Sequence, residues 1–255
     1  MKVSPQLPAW RRVSVYNPRD DPQFLKRFAT RVDHRVLVPM LWSQTLLYFL
    51  YKRRGFVLKP KGFSVVTSRV SETGNSFNSQ LVKIINNPFT GNKFEGGDDP
   101  ELSPKIMAVV EKVEGLLAKD RKQTVYSSRK HEGVEQIRYI LVARELRARF
   151  KDPSIGWETV RAIRRPRRGN AVDKAALDLL SNKYLLLTGD VDGEKRFEIL
   201  QKYNRRVGKY RNQKVLLFTR AGGSGVDLQE VRDVHLLEVN PILAEEKQVV
   251  ARAIR

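Results

Sequence analysis

Apolar positions in the second part of the chain switch repeatedly between helical and strand spacing. After Ser103 and Pro104, residues Ile106, Val109, Val110, Val113, Leu116 and Leu117 recur at the 3.6-residue period. Ser103 suits an N-cap, and Pro104 suits the first helical position. TVYSS (124–128) predicts a short buried strand, followed by a helix through Val134, Ile137, Leu141 and Leu146. KYLLLT (183–188), KVLLFT (214–219) and DVHLLE (233–238) predict three further strands. Asp192 is placed to cap a helix burying Phe197, Leu200 and Tyr203, and a last helix is expected from about Ala244. Unbroken apolar strands separated by helices predict an α/β fold with a parallel sheet covered on both faces. Ligand-binding groups in such sheets gather at the carboxyl ends of the strands. That rule places Ser127, Ser128, Thr188, Gly189, Asp190 and the loop 220–225 on one rim.

The first hundred residues follow a different pattern. VLVPMLWSQTLLYFLY (36–51) is apolar, but Pro39 interrupts it and Ser43, Gln44 and Thr45 break its face. It is shorter than the roughly 20 apolar residues a bilayer span needs. A strand, a break and an amphipathic helix describe it better, and no membrane partner is expected. MKVSPQLPAW at the start lacks the apolar run of a signal peptide. Residues 1–100, with the turn-rich NNPFTGNKFEGGDDP, read as a bridging segment or small subdomain, with GGDDP as its junction to a main domain at 101–255.

Charge narrows the choice of partner. The 255 residues hold 48 Lys and Arg against 28 Asp and Glu, a formal net charge of +20. Such an excess points to a polyanion, most simply nucleic acid; a soluble basic surface is the plainer alternative. RAIRRPRRGN places Arg161, Arg164, Arg165, Arg167 and Arg168 within one basic stretch of an insertion at about 149–182. The stretch reads either as a phosphate-attracting patch or as a solvated, flexible segment. With no cysteine and three scattered histidines, no metal site is expected.

Two stretches near the end carry candidate chemistry. AGGSG (221–225) follows a strand, and glycines there let backbone N–H groups approach an anion. A dinucleotide-binding or methyltransferase-like loop is a second reading, with Glu238 closing the next strand to meet a ribose hydroxyl. Position weighs against it, because such loops open a fold and need further βα units behind them. A tight structural turn is the third reading. Gln248, Arg252 and Arg255 are spaced to project from one helical face, so both guanidinium groups can reach one anion. Surface pairing with Glu245 and Glu246 is the alternative.

TRAGGSGVDL (219–228) resembles motif V of superfamily 2 helicases, particularly the Snf2-like branch, and QVVARAIR (248–255) resembles motif VI. The Trp-Asn-Pro usual between them is replaced by Pro241, Ile242 and Leu243. Upstream, SPKI (103–106) is similar to the start of a second RecA-like domain and VYSS (125–128) to motif IV. LLLTGD (185–190) with Arg196 is similar to the strand and helix before motif V. VPMLWSQTLLY (38–48) is similar to the bridge that leaves a first RecA-like domain. Within that branch the chain most resembles the nucleoside-triphosphatases and early transcription factors of large DNA viruses.

The resemblance implies the second RecA-like half of an ATP-dependent helicase or translocase. It makes Arg255, with Arg252, an arginine finger on the γ-phosphoryl group. Gln248 takes a coupling role, while Gly223, Gly225 and Asp227 lie on the nucleotide side, Asp227 with a ribose or inter-motif hydrogen bond. Ser127, Ser128, Thr188, Thr219 and Arg220 are implied to touch a nucleic-acid backbone, with double-stranded DNA as the expected partner. No G-x-x-x-x-G-K-[ST] and no D-E-x-[DH] occurs in the chain. ATP and Mg²⁺ would therefore be held with a first RecA-like domain supplied in cis or in trans, and the chain alone is expected to be inactive. A fragment, a truncated frame and half of a split motor remain open. The expected location is intracellular, in cytoplasm, nucleus or virion, with a transcription complex as a further partner. The rival readings are a non-catalytic basic module that binds DNA or a transcription complex, and third, a methyltransferase.

Overall fold

The computed structural model describes residues 36–42, 44–46, 48, 49, 56–59, 62–65, 82, 85, 86, 101, 103–163, 165–167, 169–223 and 226–238. Two short strands, β1 (Phe56–Lys59) and β2 (Gly62–Val65), pair antiparallel, with Phe56 opposite Val65 and Lys59 opposite Gly62. The sequence reading did not anticipate this hairpin. The main body runs α1 (Pro104–Leu117), β3 (Gln123–Tyr126), α2 (Glu135–Phe150), α3 (Trp157–Ala162), α4 (Ala171–Asp178), β4 (Tyr184–Leu187), α5 (Gly193–Asn204), β5 (Val215–Phe218) and β6 (Asp233–Leu236).

β3 to β6 form one parallel sheet in the order β4-β5-β3-β6. Side-chain alternation divides the strands between two cores. Val125, Tyr184, Leu186, Val215 and Leu217 face a core shared with α1 to α4. Tyr126, Leu185, Leu187, Leu216 and Phe218 face the second core, with Tyr203 of α5 and Val226 and Leu228 of the following loop. A strand with both faces covered needs apolar residues at every step, which is why YLLL and VLLF carry no period of two.

Local chemistry fixes the ends of these elements. Ser103 caps α1 by accepting from the Ile106 N–H, and Pro104 follows at the first helical position. Asp192 caps α5 by accepting from the Lys195 N–H. Asn170 caps α4 through the N–H groups of Val172 and Asp173. Between β3 and α2 the chain makes one wide helical turn at Lys130–Val134. Gly133 is required in that turn, since a Cβ there would lie 2.1 Å from Ser127 Oγ.

At the amino ends of the strands, buried lysines turn inward. Lys214 donates to the Lys202 and Arg205 carbonyls at the end of α5. Lys122 donates to the Gln229 carbonyl at 2.6 Å and sits over the Tyr203 ring. Burial, with Lys214 nearby, lowers the Lys122 pKa to about 8. Lys183 pairs with Glu145 of α2 at 2.7 Å.

Three expectations change. Of the two readings left open for residues 149–182, the flexible one does not describe the residues packed there: Ile155, Trp157, Val160, Ala175, Ala176 and Leu179 join α3, α4 and the main core. Their apolar spacing outweighs the arginines between them. Phe197 is 64% exposed rather than buried, because Ile199, Leu200 and Tyr203 occupy the inward side of α5. Residues 36–41 form no strand, in keeping with a proline that has no N–H for a ladder, and Leu37 is 95% exposed. Helix occurs after them, at residues 42, 44–46, 48 and 49. Among the described residues, no helix is long and apolar enough to cross a membrane.

The packing of α3 gives a direct test. Trp157→Ala should destabilise the protein by about 3 kcal/mol or more in urea unfolding, as expected for an emptied aromatic core position. An unchanged midpoint would show that α3 lies outside the cooperative core.

Candidate functional site

Register aligns the carboxyl ends of all four strands. Tyr126 lies opposite both Phe218 and Leu236, and Leu187 lies opposite Phe218. The ladder continues one step beyond: Thr219 N–H donates to the Leu187 carbonyl, Ser127 N–H to Phe218, and Leu237 N–H to Tyr126. The loops that follow, at 127–130, 188–192, 219–223 and 237–238, therefore share the one rim expected from the sequence.

Glu238 is the centre of this rim. Its side chain is buried, with Oε1 accepting from Ser127 Oγ at 2.7 Å and from Asn86 Nδ2, and Oε2 accepting from the Ser128 N–H at 2.8 Å. Ser127 Oγ in turn accepts from the Arg129 N–H at 3.0 Å. Ser127 is fully buried and its hydroxyl is committed to the loop, so it shapes the rim instead of facing a ligand. Ser128 is exposed beside it. These contacts also occupy Glu238, the acid that a dinucleotide-binding loop would need for a ribose.

Thr188 and Thr219 are likewise buried. Thr188 Oγ1 donates to Asp190 Oδ1, and Thr219 accepts at its carbonyl from the Gly223 N–H at 2.7 Å. The Gly222 N–H turns toward Thr219 Oγ1. Gly222 and Gly223 are sites of close approach: a Cβ on Gly222 would lie 2.0 Å from the Leu187 carbonyl oxygen, and one on Gly223 would lie 2.7 Å from the Phe218 ring. The first part of AGGSG is thus a tight turn packed on β4 and β5, with two of its N–H groups directed inward. Arg220 is exposed at the start of this turn. Asp227 is also exposed, and Asn204 grips its backbone by donating to the Asp227 carbonyl and accepting from the Gln229 N–H, each at 3.0 Å.

An ion pair that the sequence reading missed crosses the rim. Lys130 Nζ lies 2.6 Å from Asp190 Oδ2 and 3.7 Å from Glu135 Oε1. The hydrogen bond from Lys130, then that from Thr188, lower the Asp190 pKa to about 2, and the same bond raises that of Lys130. The basic RKH after VYSS was the available signal. Among the arginines of the basic run, Arg161 lies over the Trp157 ring, while Arg165 and Arg167 are exposed. Asp173 orders the turn by accepting from the Arg167 N–H at 3.0 Å. Arg164, Arg168, Gly225, Gln248, Arg252 and Arg255 lie outside the described residues, as does the helix expected from about Ala244. No group of three or more metal-ligating side chains occurs among the described residues.

Fold and rim together define an α/β domain whose loops gather at the carboxyl ends of a parallel sheet. Residues 166–255 match the family model described as helicase conserved C-terminal domain. The matched stretch includes β4, α5, β5 and β6, so the later part of the sheet and its rim loops are similar to that domain. No curated protein matches the chain. One similar solved structure is described as Mss116p DEAD-box helicase domain 2 bound to an RNA duplex: 17% identity, TM-score 0.36, covering 59% of this chain and 45% of that one. Another is the C-terminal part of the Fun30 ATPase domain: 17% identity, TM-score 0.37, covering 71% of this chain and 43% of that one. The chain spans less than half the length of either.

The rim ion pair has a defined pH signature. A carboxylate whose folded pKa lies below its ordinary 3.8 adds stability above that value and loses it as pH falls through about 2. A ¹³C titration of Asp190 should show a midpoint near 2, moving upward in Lys130→Gln; an unmoved midpoint would place the cause elsewhere.

Proposed function

We propose that this chain supplies the second RecA-like part of a nucleic-acid-dependent ATPase of the helicase or translocase type. The family match over residues 166–255 carries the reading, since it includes β4 to β6 and every rim loop after them. In this reading the exposed Ser128 and Arg220, with the half-buried Lys130, face the sugar–phosphate backbone. Contacts of that kind hold a strand without reading its sequence. Ser127, Thr188 and Thr219 act from beneath by fixing the loops. The basic run at 161–168 adds sequence-independent attraction for double-stranded DNA.

ATP with Mg²⁺ would sit against a first RecA-like domain joined in cis or in trans. Arg255 and Arg252 would neutralise charge on the γ-phosphoryl group, Gln248 would couple the two halves, and Gly225 and Asp227 would lie on the nucleotide side. Motif spacing supports these roles.

Replacing all five arginines of the basic run by glutamine should flatten the salt dependence of duplex binding. The slope of log affinity against log salt should fall by about 0.9 for each arginine that meets a phosphate. An unchanged slope, measured by fluorescence anisotropy at several salt concentrations, would remove the run from the interface.

A second measurement addresses catalysis. The 255-residue chain by itself is expected to give no ATP turnover. Combined with a first RecA-like domain, DNA-stimulated turnover at saturating ATP should fall roughly 10³-fold or more in Arg255→Ala, with DNA affinity retained. Arg255→Lys should restore little, because a point charge does not reproduce the planar fork. Near-normal turnover in Arg255→Ala would sink the finger assignment.

A further inference from the structure

The contacts of Glu238 reach in two directions. Toward the rim, its carboxylate holds the Ser127 hydroxyl and the Ser128 N–H. Toward the N-terminal region, it holds the side-chain amide of Asn86, a residue 152 positions away in sequence. Asn86 is itself fully buried and satisfied on each side. Its carbonyl accepts from Ser103 Oγ, the cap of α1, and its Oδ1 accepts from Lys105 Nζ at 3.0 Å. The carbonyl of Ile85 next to it accepts from Gln44 Nε2, and Gln44 Oε1 accepts from the Leu41 N–H at 3.0 Å. A continuous polar chain therefore runs from Leu41 and Gln44 through Ile85 and Asn86 to Glu238, and from there to the loop at 127–128.

Charge makes the central link hard to replace. Lys105 is the cation whose field reaches Glu238, and burial keeps its own pKa below the ordinary lysine value. A buried carboxylate that lost its donors would bear the desolvation cost alone. The Asn86 side and the Ser127–Ser128 side thus each depend on the other remaining in place. Two groups that share one buried acceptor are coupled, and that coupling is reciprocal.

We infer that Glu238 is a positioning residue that locks the N-terminal segment around Asn86 to the rim loop at 127–128, so that displacement of one loosens the other. Its effect on nucleic acid rests on the function proposed above; the mechanical coupling does not. The link acts through the Ser128 backbone and the Ser127 hydroxyl, with Glu238 itself buried beneath the ligand-facing surface.

Hydrogen–deuterium exchange on the full 255-residue chain tests the coupling. Asn86→Ala, which touches no rim residue except through Glu238, should raise exchange in peptides covering 127–134 by roughly tenfold, while peptides covering β5 stay unchanged. Ser127→Ala should produce the reciprocal effect at Asn86. Unchanged exchange at the far side in both variants would overturn the inference. If Asn86→Ala unfolds the whole chain, the Ser127→Ala result decides alone. A second arm measures binding of a fluorescent 20-nucleotide duplex. Asn86→Ala should weaken it several-fold, because the loop that presents Ser128 and Lys130 is no longer held in place. Affinity unchanged in Asn86→Ala would overturn the effect on nucleic acid. If the unmodified chain binds no duplex, the nucleic-acid reading fails, and the exchange result still decides the coupling.

Discussion

A parallel sheet covered on both faces leaves its strand ends as the backbone that can meet a ligand, and everything at the rim follows from how those ends are packed. In this protein all four strands stop in register, at Leu187, Phe218, Tyr126 and Leu236. Each following loop must leave within the width of its neighbour. The space is too small for side chains at several points. Gly133 passes against Ser127, Gly189 against Ala221, Gly222 against the Leu187 carbonyl and Gly223 against the Phe218 ring. These glycines permit close approach; none of the four has a positive φ. The rim is consequently built from backbone first, with exposed polar side chains set on top of it.

That construction separates two kinds of polar residue that look alike in sequence. Ser127 and Ser128 are adjacent and identical in type, yet one is enclosed and the other open. The difference is position along the chain: Ser127 N–H still bonds into the ladder at the Phe218 carbonyl, while Ser128 lies one step past it, where the covering layers end. Thr188 and Thr219 fall on the enclosed side as well.

Much of the fold was legible because both periods are strong where the core is deep. The strands at 184–187, 215–218 and 233–236 lie within the segments expected for them, that at 123–126 overlaps the expected 124–128, and Ser103 and Asp192 cap their helices as expected. The order β4-β5-β3-β6 was not legible, since periodicity says which face is buried and not which strand is next. The hairpin of β1 and β2 was missed for a related reason: its residues lie in a region of mixed patterning. Arginines obscured α3, whose buried side rests on little more than Trp157 and Val160. At the rim, loop membership could be read from position alone. The contacts of Glu238 could not, because Asn86 is distant in sequence and nothing in an isolated asparagine announces its partner. Lys130 and Asp190 were hidden in the same way, sixty positions apart.

The inward-turned lysines at the other end of the sheet bear on how the formal charge of +20 should be understood. Lys122 and Lys214 spend their ammonium groups on backbone carbonyls, and Lys183 spends its own on Glu145. Each serves as an internal solvent for oxygen atoms that water does not reach. Their charge still counts in the far field of the molecule, but buried as they are they cannot serve as direct contacts for a phosphate. Substituting arginine for Lys214 would preserve the arithmetic of charge while losing the compact three-donor head that fits between two carbonyls.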